Sequence, residues 1–242
     1  MSKLFYLAVT SALAFSLIAC SKQENTPTLR DAKSPEAVKQ EVQAQKLAEA
    51  PKADKSVPLE QYQELTSGQQ VMFSYLANSE MPIDYEKSAQ AISEEYRGQS
   101  DDFKKRDLLN ALKPRIDAEV AKAKSAKYFF ADFDAELDKY DFESQAFPLK
   151  NLRDSGTYWY FYDVSAYKYS FLNGTNFSKL PVTNETLART IESYRAGYKK
   201  MTLRVYFYAA STKLGEPNLL GEVVRIRLYD GKGALLSEIA PN

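Results

Sequence analysis

The hydrophobic period of this chain changes once, near Lys127, and that change restricts the fold more than any other feature. Beyond it apolar residues recur at every second position, the spacing of strands that bury one face. In Tyr128 to Leu137, Phe129, Ala131, Phe133, Ala135 and Leu137 share a face, leaving Asp132, Asp134 and Glu136 on the other. Thr157 to Asp163 sets Trp159 and Phe161 against Tyr158, Tyr160 and Tyr162. Met201 to Ala209 alternates Leu203, Val205 and Phe207 with Arg204, Tyr206 and Tyr208, and Glu222 to Tyr229 alternates Val224, Ile226 and Leu228 with Arg225, Arg227 and Tyr229. Asp230-Gly231-Lys232-Gly233 then supplies a φ-permissive turn, with a return strand holding Leu235 and reaching Ile239. One helix interrupts the strands near 184–197, with Leu187, Ile191, Tyr194 and Tyr198 on one side.

Before the switch the spacing is helical. Thr66 with Gln69 three residues on has the form of a capping box, launching Val71, Met72, Phe73 and Leu76. Asp84 caps a second helix carrying Tyr85, Ala89, Ile92 and Tyr96, which ends at Gly98. Ser100 or Asp101 starts a third, with Leu109, Leu112, Ile116 and Val120 on one stripe, and Pro114 inside it is expected to kink or divide it. The mixed-sign run Asp101 to Asp107 reads as the solvated face of that helix. Helices first and strands afterwards predict an α+β fold, with N-terminal helices packed on a mainly antiparallel sheet. The sequence predicts one domain over 58–242, helical over 58–126 and mainly strands over 127–242.

The residues ahead of that domain read differently. Between Ser21 and Val57 there is no aromatic residue, and Leu29, Val38, Val42 and Leu47 are too sparse to form a core face. Such a segment does not offset its ordering entropy, so 20–57 reads as a tether with a reach of roughly 35 Å. Ser34-Pro35-Glu36 is a helix start within it and Pro51 a stop. Leu4 to Ala19 is an almost wholly apolar run behind Lys3, shorter than the roughly twenty residues that cross a bilayer. It reads as a removable signal peptide, residues 1–19.

Leu17-Ile18-Ala19-Cys20 resembles the lipobox of bacterial lipoproteins. That resemblance implies cleavage after Ala19, a thioether-linked diacylglycerol on Cys20 and a palmitate-type acyl chain on the freed amino group. Several acyl chains hold a protein on a bilayer where one only visits it. Ser21, where an Asp would direct retention, implies sorting to the outer membrane, with the domain facing the periplasm.

Composition narrows the chemistry. With 32 basic and 32 acidic residues the chain has no general attraction to nucleic acid. It has no histidine and one cysteine, which removes Ser-His-Asp and Cys-His catalysis, His-dependent zinc sites and disulfides within the chain. Asp132, Asp134, Glu136, Asp138 and Glu143 copy the spacing of a calcium loop, yet Leu137 occupies the position that requires glycine. They are better read as one strand face, and no metal or cofactor is expected. Paired carboxylates for glycan hydrolysis leave no signature in sequence, because the pair must converge across a cleft.

Nine residues form the strongest binding candidate: Tyr158, Tyr160, Tyr162, Arg204, Tyr206, Tyr208, Arg225, Arg227 and Tyr229, the polar face of the strands. Tyrosine and arginine anchor interfaces because they bury large area while keeping polar handles. The competing reading is structural, with the helices covering the tyrosines and Arg225 and Arg227 paired across strands to Asp132, Asp134 or Glu136. Finally, Tyr140-Asp141-Phe142-Glu143, Phe147-Pro148-Leu149 and the helical stretch Phe103 to Ile116 resemble an uncharacterised lipoprotein domain of Gram-negative bacteria over roughly 58–240. The resemblance implies no catalytic residue, and Phe142 and Phe147 are read as plugs of the sheet. The expectation is a lipid-anchored, non-catalytic binding module with an envelope protein as partner. A carboxylate-dependent cell-wall hydrolase and a structural spacer are the alternatives.

Overall fold

The computed structural model describes residues 34–240, so Ala19 and Cys20 lie outside the described residues. The chain divides into two units, 1–38 and 39–242. Of the first, Ser34–Val38 is described: the Ser34 hydroxyl accepts the Ala37 N–H at 3.2 Å and its carbonyl accepts the Val38 N–H at 3.0 Å, the start of helix α1 (Pro35–Glu49).

Within the second unit, the part of the expected tether from Gln43 onward is engaged with the sheet. Gln43 accepts the Leu214 N–H at 2.7 Å and donates to the Thr212 carbonyl, and Lys46 donates to the Thr212 hydroxyl at 3.2 Å. No residue of α1 is buried, so polar bonds hold it where apolar periodicity registers nothing.

The sheet is mixed and mainly antiparallel, which makes the fold α+β. Its path runs β1 (Gln63–Glu64), β2 (Tyr128–Asp134), β7 (Met201–Thr212), β8 (Asn218–Asp230), β5 (Lys168–Phe171), β4 (Tyr158–Tyr160), with β9 (Leu235–Ile239) on the remaining length of β8. The β1–β2 and β5–β8 pairs are parallel and the others antiparallel. A separate ribbon pairs β3 (Ala146–Pro148) with β6 (Lys179–Pro181). On the apolar face Phe133 of β2 meets Phe171 of β5 with ring centroids 6.3 Å apart and Trp159 of β4 at 5.0 Å. Three strand spacings in a flat sheet would separate β2 from β5 by about 14 Å. The sheet therefore coils toward this face. Helix α2 (Gly68–Asn78) fills the concavity with Val71 and Met72 over β5, β7 and β8, and α5 (Asp102–Ser125) packs against α2.

Several boundaries differ from expectation for identifiable reasons. The capping box of α2 is Ser67 with Gln70, one residue on from Thr66 and Gln69. Asp84 caps α3 (Tyr85–Ile92) as expected, but Ser93 breaks the helix and recaps a short α4 (Glu94–Gly98) by accepting the Tyr96 N–H. Asp101 caps α5, which runs unbroken through Pro114. Pro114 and Asn110, the residue whose carbonyl loses its helical donor to the proline, are both exposed, so the interrupted bond lies on the solvent side of the helix. The expected strand 157–163 stops at Tyr160 because Asp163 is diverted: its carboxylate accepts the Gly68 and Gln69 N–H groups at 2.8 and 3.3 Å and caps α2. Asn184 caps α6 (Glu185–Ala196) as the spacing predicts, yet Tyr198 leaves the packed side, taking φ +51° just beyond the helix with its ring almost fully exposed. The β8–β9 turn forms as read, with Gly233 at φ +84° and Asp230 accepting the Lys232 and Ala234 N–H groups. Among the described residues no helix is long and apolar enough to cross a membrane.

Candidate binding surface

The nine candidate residues fall into two regions of the sheet. On the polar face of β2, β7 and β8, Arg204 holds Asp132 with two bonds of 2.7 Å and lies over the rings of Phe130 and Tyr229 at 4.2 and 5.4 Å. The Asp132 carboxylate raises the guanidinium's affinity for its proton. Arg225 and Arg227 share one carboxylate, that of Glu238 on β9, instead of the expected Asp132, Asp134 or Glu136. Arg227 also stacks over Tyr206 at 5.8 Å. Burial opposes the charge on Arg227, and Glu238 and Tyr229 together more than offset it.

Tyr206 and Tyr208 are buried, and the N-terminal segment covers them. Tyr62 packs edge-on against Tyr128 and Tyr206 with ring centroids 5.2 and 5.4 Å apart. Ala53 packs on the cluster of Tyr208, Ala210 and Val224 and donates its N–H to Glu222 at 3.2 Å, while the Asp54 N–H donates to the Tyr128 hydroxyl at 3.0 Å. The lid over this half of the face is therefore 53–62, not the helices. Burial pushes the Tyr206 and Tyr208 hydroxyls upward and that of Tyr62 up to about 12. The Tyr62 hydroxyl and Arg225 Nε are both buried without a hydrogen-bond partner.

What stays open is the far edge. Tyr158 and Tyr160 on β4 are 48% and 44% exposed, and Tyr162 in the following turn is 92% exposed. Lys168 Nζ lies 4.0 Å from the Tyr158 ring centroid, and Tyr160 meets Tyr162 edge-on at 5.6 Å. Because among the described residues β4 pairs only with β5, its outer edge also presents unpaired backbone. Three of the nine residues thus make an accessible aromatic surface, and Arg204, Tyr206, Tyr208, Arg225 and Arg227 build the fold, with Tyr229 half-buried beside Arg204.

A second surface was not anticipated. Phe147 is fully buried, but Phe142, read from the sequence as a plug, is 85% exposed. The turn explains it: Asp141 and Ala146 pair backbone to backbone, the Asp141 carboxylate accepts the Glu143 and Ser144 N–H groups, and Gln145 closes the turn at φ +48°. Phe142 is lifted clear and rests edge-on against Tyr140 at 5.1 Å. Between this hairpin and α6 lies a groove of about 690 Å³. The one sequence signal for it is a large apolar residue inside a turn of Asp, Glu, Ser and Gln.

The calcium-like residues do not converge. Asp132 is engaged by Arg204 and Asp138 by Lys150 and Arg153. Asp54, Asp84, Asp141 and Glu192 are each held below the usual carboxylate range by hydrogen bonds, chiefly from Ser56, Lys87, Ser144 and Arg195 respectively.

Residues 86–190 match the family described as "Domain of unknown function (DUF4852)". That span is narrower than the 58–240 expected from resemblance. It holds Tyr158, Tyr160, Tyr162 and the 140–147 hairpin, and leaves out β7, β8 and β9. No curated protein and no solved structure matches the chain.

Proposed function

We propose that this chain is a lipid-anchored envelope protein whose folded domain works by binding a protein partner, without catalysis, through Tyr158, Tyr160 and Tyr162. The observation that carries the reading is the exposure of two tyrosines on a terminal strand, one of them beside a lysine, and of a third in the turn that follows it. Exposed aromatics with polar tips are the residue type from which interface hot spots are built. Lipid on Cys20 places the domain at the outer membrane, facing the periplasm, and the balanced charge favours a protein over nucleic acid.

The test is photocrosslinking in intact cells, with a photoreactive side chain at position 160 or 162 and, as the internal control, at buried position 208. Discrete adducts from 160 and 162 that are missing from 208 are expected. No adduct from either exposed position, or the same adducts from all three, would overturn the assignment.

A further inference from the structure

The groove between the Asp141–Ala146 hairpin and α6 has the composition of a site for a small neutral ligand, and we propose that it binds a short uncharged saccharide. It is built from other elements than the tyrosine surface, so it stands or falls separately.

The groove, about 690 Å³, is within the range of small-molecule sites. Its upper wall is Phe142, held out in solvent by a turn that keeps a non-glycine residue, Gln145, in the left-handed region. A ring displayed in this way offers an apolar platform with one open face. From α6 the lining takes the small side chains Ala188, Ser193 and Ala196, interleaved with Glu185, Arg189 and Glu192. The polar groups along α6 are already tied down: Glu185 to Arg189 at 2.5 and 3.0 Å, and Glu192 to Arg195 in a two-bond fork at 2.6 and 2.9 Å.

Those pairings decide the ligand class. Each carboxylate has its own guanidinium, Glu185 that of Arg189 in the lining and Glu192 that of Arg195 outside it, so neither is left unpaired to select a cation. A purely apolar ligand would strip water from the same charged pairs without replacing its hydrogen bonds, which is costly. A sugar ring meets both demands: its C–H face packs on an aromatic ring, while its hydroxyls both donate and accept and so satisfy pinned carboxylates, a guanidinium and the Gln145 amide.

The experiment uses the full chain in detergent, titrated calorimetrically with N-acetylglucosamine oligomers of two to six units, with malto-oligosaccharides of the same lengths, and with an apolar tetrapeptide. Saturable binding of at least one sugar series is expected, tightening with length until the groove is filled. Phe142→Ala should weaken it by about tenfold or more, and Phe142→Tyr should stay within about threefold of the parent. Because Phe142 is largely exposed, both variants are expected to keep the parent's circular dichroism and melting curve. No saturable binding of either series up to about 10 mM, binding untouched by Phe142→Ala, or binding of the tetrapeptide alone would each overturn the proposal. Crosslinking from positions 160 and 162 is unaffected by any of these results.

Discussion

Replacing Glu238 by alanine isolates what holds the last strand on the sheet. This one carboxylate serves both Arg225 and Arg227, and the three side chains are 25–27% exposed, between a surface pair and a buried one. Exposed pairs are worth about 0–1 kcal/mol, whereas removing one partner of a buried pair costs about 3–5 kcal/mol. A loss of about 2 kcal/mol follows for Glu238→Ala, since two guanidiniums lose their acceptor together and Arg225 Nε already lacks one. For a domain of this size that is a fall of about 4–8 °C in Tm. Glu238→Gln keeps one neutral acceptor and should lose about half as much. Thermal unfolding at neutral pH measures the change, and hydrogen exchange should show Leu235–Ile239 opening first. A shift below about 1 °C would show that the shared carboxylate is only a solvated surface contact and that the β8–β9 ladder suffices without it.

Gly68→Ala places a methyl group 2.9 Å from the Asp163 carboxylate, the Val164 amide nitrogen and its β-carbon, atoms that belong to or are held by backbone. Overpacking of about 1–3 kcal/mol should exceed the helix-propensity gain of up to about 1 kcal/mol, seen as a lower denaturant midpoint; an unchanged midpoint would mean the turn at Asp163 gives way freely. Tyr62→Phe removes a buried hydroxyl with no partner, so neutral-pH stability should hold or rise by up to about 1 kcal/mol. The same variant has an alkaline signature. A hydroxyl raised to about 12 in the fold contributes fully below its ordinary value near 10 and loses that contribution as pH climbs to 12, so the parent should lose stability faster than the variant across that window. Equal slopes would refute it. Cys20→Ser should release the domain from the membrane fraction or stall its maturation, and unchanged retention would refute the lipid anchor.

The features legible in the sequence share one property: their partners lie within a few residues along the chain. Asp84, Asp101 and Asn184 cap helices by bonding backbone three residues ahead or nearer, and Asp230 closes its own turn. The change from period 3.6 to period 2 is likewise local, and it was enough to establish helices packed on an antiparallel sheet. The central part of the candidate site depended on partners that no window contains. Asp163 ends a strand because it caps a helix 95 residues earlier. Tyr206 and Tyr208 alternate as a solvent face should, yet residues 53–62 return across them, while Asp132 and Glu238 engage the arginines beside them, so most of the expected docking surface becomes structure.

By itself, then, the chain's periodicity specified which elements form and which face of each is apolar, because those follow from backbone geometry over one or two turns. Which polar face remains open to a partner was settled only by tertiary packing. A side chain is free or covered according to what else reaches it in space, and in this fold the covering residues come from far along the chain.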